Sequence, residues 1–116
     1  MITFKKVNIF FVLIFVFVNI FCIEPCYSLS TREDLFKNAL DLSSSGKFNL
    51  ALQEWNRYLN AYPDDAAGLS NRGNVRLVIG DVEGSLDDQN KAINLDPDEI
   101  DPYINRGIAE EALGLW

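Results

Sequence analysis

The chain has 116 residues, with 10 Lys plus Arg against 17 Asp plus Glu, no histidine and two cysteines, for a formal net charge of −7. Nucleic acid is not an expected partner of so acidic a chain, because phosphate binding rests on Lys and Arg, and with soft ligands nearly absent no metal site or cofactor is expected. One domain is the expectation for this length, but the first quarter differs from the rest and is read separately.

Residues 1–28 carry Lys5 and Lys6 near the start, then an apolar stretch from Val7 to Ile23 broken only by Asn8 and Asn19, then Pro25 and small residues. This is the layout of a secretory signal. Its longest unbroken apolar run, Ile9 to Val18, has 10 residues, short of the roughly 20 that a helix needs to cross a bilayer. Ser28 and Cys26 supply the small side chains that signal peptidase accepts, which puts the expected mature start at Leu29. Lipidation is not expected, since Phe21 precedes Cys22 and Pro25 precedes Cys26. The expected destination is a periplasm, the extracellular space or a thylakoid lumen. The alternative is a retained signal anchor, with residues 7–23 held in the membrane. Cleavage removes both cysteines, so no disulfide is expected, and leaves 8 basic against 16 acidic residues, a net charge of −8. The aspartates at Asp64-Asp65, Asp87-Asp88 and Asp96 to Asp101 read as helix caps and a solvated outer face.

Residues 29–116 are predicted to form an all-α domain with helices over Arg32–Ser44, Phe48–Ala61, Ala66–Ile79, Val82–Leu95 and Ile100–Leu113. Ser30 with Glu33 fits a capping box at the first start. Gly46, Gly80 and Gly114 sit where helices end in a left-handed turn. Asp81 caps the fourth helix, while Pro63 and Pro97 close the second and fourth.

The same punctuation reveals an internal repeat. Slid by 34 residues, the chain brings Gly46, Gly80 and Gly114 into register, as well as Pro63 with Pro97, and Asn71-Arg72-Gly73 with Asn105-Arg106-Gly107. A fixed period of this length signals a helical repeat array. Its units run over 32–65, 66–99 and, in part, 100–116. Ala39, Gly73 and Gly107 share one position, where a small residue lets paired helices approach closely; Ala51 and Ala92 leave room for the facing unit.

From about Thr31 onward the chain resembles the tetratricopeptide repeat (TPR) family. Leu69, Gly73, Gly80, Ala92 and Pro97 in the second unit, and Leu35, Ala39, Leu42, Gly46, Ala51, Trp55, Leu59 and Pro63 in the first, stand at the family's recurring positions. The resemblance implies an α-solenoid of about two and a half units. Departures are also clear: Tyr58 stands where alanine is usual, Arg76 where an aromatic is usual, and Ser85 and Gln89 replace a small apolar residue and an aromatic. Arg72 replaces a leucine, and Asp88, 16 residues on, is predicted to pair with it. Arg106 is expected to lack an equivalent partner. On the last helix, Ile104, Ile108, Ala112 and Leu115 are expected to pack back on the second unit, leaving Leu113 and Trp116 uncovered. The half unit reads either as a truncated product or as a short array completed by self-association through its C-terminal end.

No catalytic constellation is present, and Ser43-Ser44-Ser45 reads as polar padding before a turn, so an enzyme is not expected. In the resembling family, ligands lie on the concave face of the first helices. Here that face would present Phe36, Leu40, Ser70, Asn71, Asn74, Leu77, Val78, Asn105 and Ile108. Phe36, Leu40, Asn71, Asn74, Leu77 and Asn105 are the candidates for binding a protein or peptide, the asparagines by pairing with peptide backbone. One branch of the family clamps a terminal carboxylate there. Phe36, Leu40 and Asp101 occupy three clamp positions and only Asn71 is kept, which favours a partly apolar peptide or helix. The other expectations are a membrane-anchored assembly factor or scaffold, or a fragment of a longer repeat protein.

Overall fold

A computed structural model describes residues 30–115; the predicted signal segment, the start at Leu29 and Trp116 lie outside them. The described residues form five helices: α1 (Arg32–Ser44), α2 (Phe48–Ala61), α3 (Ala66–Val78), α4 (Val82–Leu95) and α5 (Asp101–Leu113). Each packs against the next, and α3 also touches α1 and α5. This is the stacking of helical hairpins expected from the repeat. Two predicted boundaries, the end of α3 and the start of α5, each move inward by one residue, because Ile79 and Ile100 serve as caps.

The turns repeat as the glycines predict. Gly46, Gly80 and Gly114 have φ of 72°, 93° and 70°, a region where a side chain would clash. After each, an N–H reaches back to a carbonyl of the last turn: Lys47 to Leu42 at 3.0 Å, Asp81 to Arg76 at 2.8 Å and Leu115 to Glu110 at 2.9 Å. The first start is a correction to the Ser30 and Glu33 capping box. Thr31 is the N-cap; its hydroxyl accepts from the Asp34 N–H at 3.2 Å, and the Asp34 carboxylate accepts from the Thr31 N–H at 3.0 Å. The cap must directly precede the first helical residue, and that residue is Arg32. Asp65 and Asp81 cap α3 and α4 through the Gly68 and Gly84 N–H groups at 2.7 and 3.0 Å.

The core lies mainly in the first unit and where it meets α3. Trp55, Tyr58 and Leu59 from α2 are buried with Ala39, Ala51, Leu69, Val75 and Ala92. The Phe36, Trp55 and Tyr58 rings meet edge to face, with centroids 5.0 to 5.8 Å apart, the arrangement that aromatic quadrupoles favour. The Trp55 indole N–H donates to Ser43 Oγ at 3.0 Å, and that hydroxyl donates to the Ala39 carbonyl at 2.9 Å. Ser43 therefore satisfies a buried donor and is more than padding.

One period on, the equivalents of Trp55 and Ala51 are Gln89 and Ser85, both fully buried. Gln89 Nε2 donates to the Ser70 carbonyl at 3.0 Å. Gly73 makes room for it: a Cβ there would stand 2.5 Å from Gln89 Nε2 and 3.1 Å from Asp88 Cβ. Gly68 acts alike at the entry to α3, where a Cβ would meet Tyr58 at 2.8 Å. At Gly107 the expected close approach is absent, since no described atom lies within 4 Å of where its Cβ would be. The packing stripe of α5 is also corrected. Pro102 and Ala109 are buried and Asn105 and Arg106 half-buried, whereas Ile104, Ile108, Ala112 and Leu115 are exposed. Both stripes have helical spacing, but they differ by a rotation of the helix about its axis, which residue spacing alone does not set.

Asp88 departs from the solvated reading of the aspartates. It is 3% exposed and accepts from Arg72 Nε and Nη2 at 2.9 and 2.7 Å, with Arg76 Nη1 at 3.0 Å. The predicted pair thus exists, and Arg76 joins it.

Candidate functional site

The first helix of each unit, α1, α3 and α5, supplies the face that carries the candidate residues. Leu40 of α1 and Asn71, Asn74 and Val78 of α3 line one hollow of about 180 Å³, floored by Ser43, Ser44, Phe48 and Val75. Phe36 and Leu40 line a second, of about 390 Å³, with Arg32, Glu33, Lys37, Tyr58 and Asp65. Leu40 belongs to both, so the two hollows adjoin along α1. Leu77 is half-buried and lines neither. Phe36 is half-buried against Trp55 and Tyr58, so it serves the core as well as the surface.

The two periodic asparagines behave differently. Asn71 Nδ2 donates to the Ala67 carbonyl of its own helix at 2.9 Å, whereas Asn105 Nδ2 reaches across from α5 to Ser70 Oγ at 3.2 Å. Asn105 joins two units, while Asn71 and Asn74 border the smaller hollow. Apolar walls with a few amide groups suit an extended peptide, whose backbone needs donors and acceptors but whose side chains need shape.

A charged cluster edges the larger hollow. Arg32 Nε donates to the Tyr58 hydroxyl at 3.0 Å, that hydroxyl donates to Asp65 Oδ2 at 2.7 Å, and Arg32 also pairs directly with Asp65. Burial pushes the Asp65 carboxyl up, but the Gly68 N–H, the Tyr58 hydroxyl and Arg32 outweigh it and hold the group below its ordinary value of 3.8. Burial raises the Tyr58 phenol, and its hydroxyl together with Asp65 raises the Arg32 guanidinium. Sequence reading did not assign these three residues to the site. The available signal was Tyr58 itself, a large polar ring at a position where the resembling family has alanine.

Among the described residues, no helix is long and apolar enough to cross a membrane, and no group of three or more acidic side chains is placed to hold a metal ion.

No protein-family model matches the chain. Among curated proteins it is 30% identical over 63 residues to tetratricopeptide repeat protein 36 of Danio rerio, covering 54% of this chain and 34% of that protein. It is 30% identical over 71 residues to the protein of the same name from Bos taurus, covering 61% of this chain and 38% of that one. It is also 27% identical over 78 residues to the TPR repeat-containing thioredoxin TDX of Arabidopsis thaliana, covering 67% of this chain and 20% of that protein. The chain thus spans little more than a third of the length of the first two relatives. Among solved structures, the second TPR of Spaghetti (RPAP3) bound to the HSP90 peptide SRMEEVD has a TM-score of 0.68 at 25% identity, covering 72% of this chain and 77% of that one. The TPR2AB domain of yeast Sti1 in its complex with pHSP90 has a TM-score of 0.68 at 24% identity, covering 71% of this chain and 32% of that one. The names of the relatives and the structural neighbours support a TPR-like chain with an all-helical solenoid.

Proposed function

We propose that this TPR-like chain is an exported protein–protein interaction module, and not an enzyme, that holds a partly apolar peptide or partner helix on the face formed by α1, α3 and α5. The observation that carries this reading is the hollow in which Leu40, Asn71, Asn74 and Val78 converge from two repeats, adjoining a larger one walled by Phe36. Structural neighbours bound to HSP90 peptides support a peptide-holding role for such a solenoid. Phe36, Leu40 and Asp101 stand at three positions where a clamp for a terminal carboxylate would need cations or amides, so an apolar stretch of peptide is the expected ligand.

Leu40 and Asn74 are exposed and outside the core cluster, so replacing both by alanine tests the face without emptying the core. Capture of partners by the double variant should fall while its thermal unfolding stays unchanged; undiminished capture would overturn the reading. Export is tested by the mature N-terminus. A start at Leu29 is expected, while a start at Met1 or Ile2 with the protein in the membrane fraction would favour the second reading, a membrane-anchored scaffold held through residues 7–23.

A further inference from the structure

Helices α1 and α5 repeat one pairing of side chains. Glu33 and Leu40 on α1 are seven residues apart, as are Asp101 and Ile108 on α5. Seven residues make about two turns, so each carboxylate shares a helix face with an apolar side chain about 10 Å away. Between them α3 sets Asn74, in the same repeat register as Leu40 and Ile108. All five residues are exposed. That exposure belongs to the repeat position, because Glu33 and Leu40 stay exposed with the second unit stacked against the first, and Asn74 stays exposed beside α5. A further unit beyond α5 would lengthen this row and leave it open.

The charges on this face are unbalanced. Arg32 pairs with Asp65, and Lys37 donates to Asp41 of its own helix at 2.6 Å. Among the described residues neither Glu33 nor Asp101 has an ion-pair partner. Each lies in the first turn of its helix, where the backbone N–H groups favour negative charge without a cation. The row therefore offers apolar contacts edged by charge of one sign, on a chain whose net charge is −7.

We propose that the ligand of this face is a basic amphipathic segment of another protein, with an apolar stripe that lies on Leu40, Asn74 and Ile108 and flanking Lys or Arg side chains that meet Glu33 and Asp101. This rests on the proposal that the face holds a peptide, and it names the chemistry of that peptide. The aliphatic stem of a lysine or arginine lies along the helix toward the carboxylate while its charged head stays in water. Under the same reading residues 1–28 leave the protein on export, so the segment comes from a separate chain. Opposite charge also steers the encounter, and the advantage fades as salt rises.

The probe is a random library of peptides of about 12 residues, selected on the full chain and, in parallel, on the chain from Leu29. Apolar residues interleaved with Lys or Arg should be enriched on both. Glu33→Gln with Asp101→Asn should still select apolar peptides but lose the basic preference, a result that misfolding would not give. For the best peptide, exchange of its basic residues for glutamine should weaken binding by the parent roughly tenfold at about 50 mM salt, a difference that shrinks toward about 0.5 M; this comparison needs no protein variant. Selected peptides without basic bias, or with acidic residues instead, would overturn the proposal and leave the peptide-holding face standing if Leu40→Ala with Asn74→Ala abolishes their capture. Peptides that bind that variant as well as the parent, or a library from which nothing is selected, would overturn both. A basic preference shown only by the chain from Leu29 would give the face to the leader and overturn the proposal.

Discussion

Arg72 and Asp88 meet side-on inside the second hairpin, with Nε and Nη2 donating to the two carboxylate oxygens at 2.9 and 2.7 Å. Their side chains are 18% and 4% exposed, so little water screens the pair. Two parallel charge-assisted bonds set the distance and rotation between α3 and α4 as well as their attraction. Removing the carboxylate takes the buried counter-charge from Arg72 and Arg76 together. Asp88→Ala should therefore destabilise the domain by about 3 kcal/mol in denaturant unfolding. A double-mutant cycle with Arg72→Ala should show clear coupling; coupling near zero would place the pair among ordinary surface pairs.

Gly73 and Gly107 share a repeat position but differ in surroundings, so one substitution should have opposite effects. Gly73→Ala drives a methyl into Gln89 and Asp88 and should cost about 1–3 kcal/mol. Gly107→Ala meets nothing among the described residues and should stabilise the domain by up to about 1 kcal/mol through helix propensity. Thermal melts of the two variants, compared with the parent, check both signs.

Trp55 depends on Ser43 for its indole partner. Ser43→Ala leaves a buried N–H unpaired and should cost about 1–3 kcal/mol, whereas Ser43→Thr keeps the hydroxyl and should cost less. Near-ultraviolet circular dichroism of the indole, with a melt, distinguishes the two.

Ser85 presents the converse case. Its hydroxyl is fully buried and has no hydrogen-bond partner among the described residues, so it gave up water without compensation. Ser85→Ala should raise stability by about 1 kcal/mol. A loss on equilibrium unfolding would mean that the hydroxyl has a partner after all.

Asp65 makes stability depend on acid. Its folded value lies below the ordinary 3.8, so the unfolded chain binds the proton more readily. Its contribution is present above that value and is lost as pH falls through the folded one. Tyr58 acts at the other end of the scale. Its raised phenol contributes below the ordinary 10.0, and that contribution is lost as pH rises through the folded value. Asp65→Asn keeps a competent N-cap and should flatten the acid limb of the stability–pH curve while reducing the alkaline limb without abolishing it, because burial is the largest cause of the Tyr58 shift and Asp65 adds to it.

The candidate face was legible in part, because candidates one helical turn apart share a side of the helix wherever that helix turns. Leu40, Asn71 and Asn74 do converge. Leu77 lines neither hollow, and Arg32, Lys37 and Asp65 entered from the edge, because their placement depends on how α1 meets α2 and α3. Asn71 and Asn105 occupy one repeat position yet bond differently: Asn105 reaches Ser70 of the preceding unit, whereas the residue 34 positions before Ser70 is Phe36, whose ring offers no such partner.

Sequence alone sufficed for the five helices, the left-handed glycine ends of three of them, the 34-residue period and the Arg72 to Asp88 pair. Those features follow from backbone sterics and from spacing along the chain, which are local or repeat unit by unit. Tertiary packing decided the rotation of α5, the Ser43 to Trp55 bond, the Arg32, Tyr58 and Asp65 cluster, and the contrast between crowded Gly73 and open Gly107. Each of these depends on how far a helix turns about its axis and on which neighbour lies against it, and a step of one residue, about 100° around the helix, is enough to carry a side chain from the core to water.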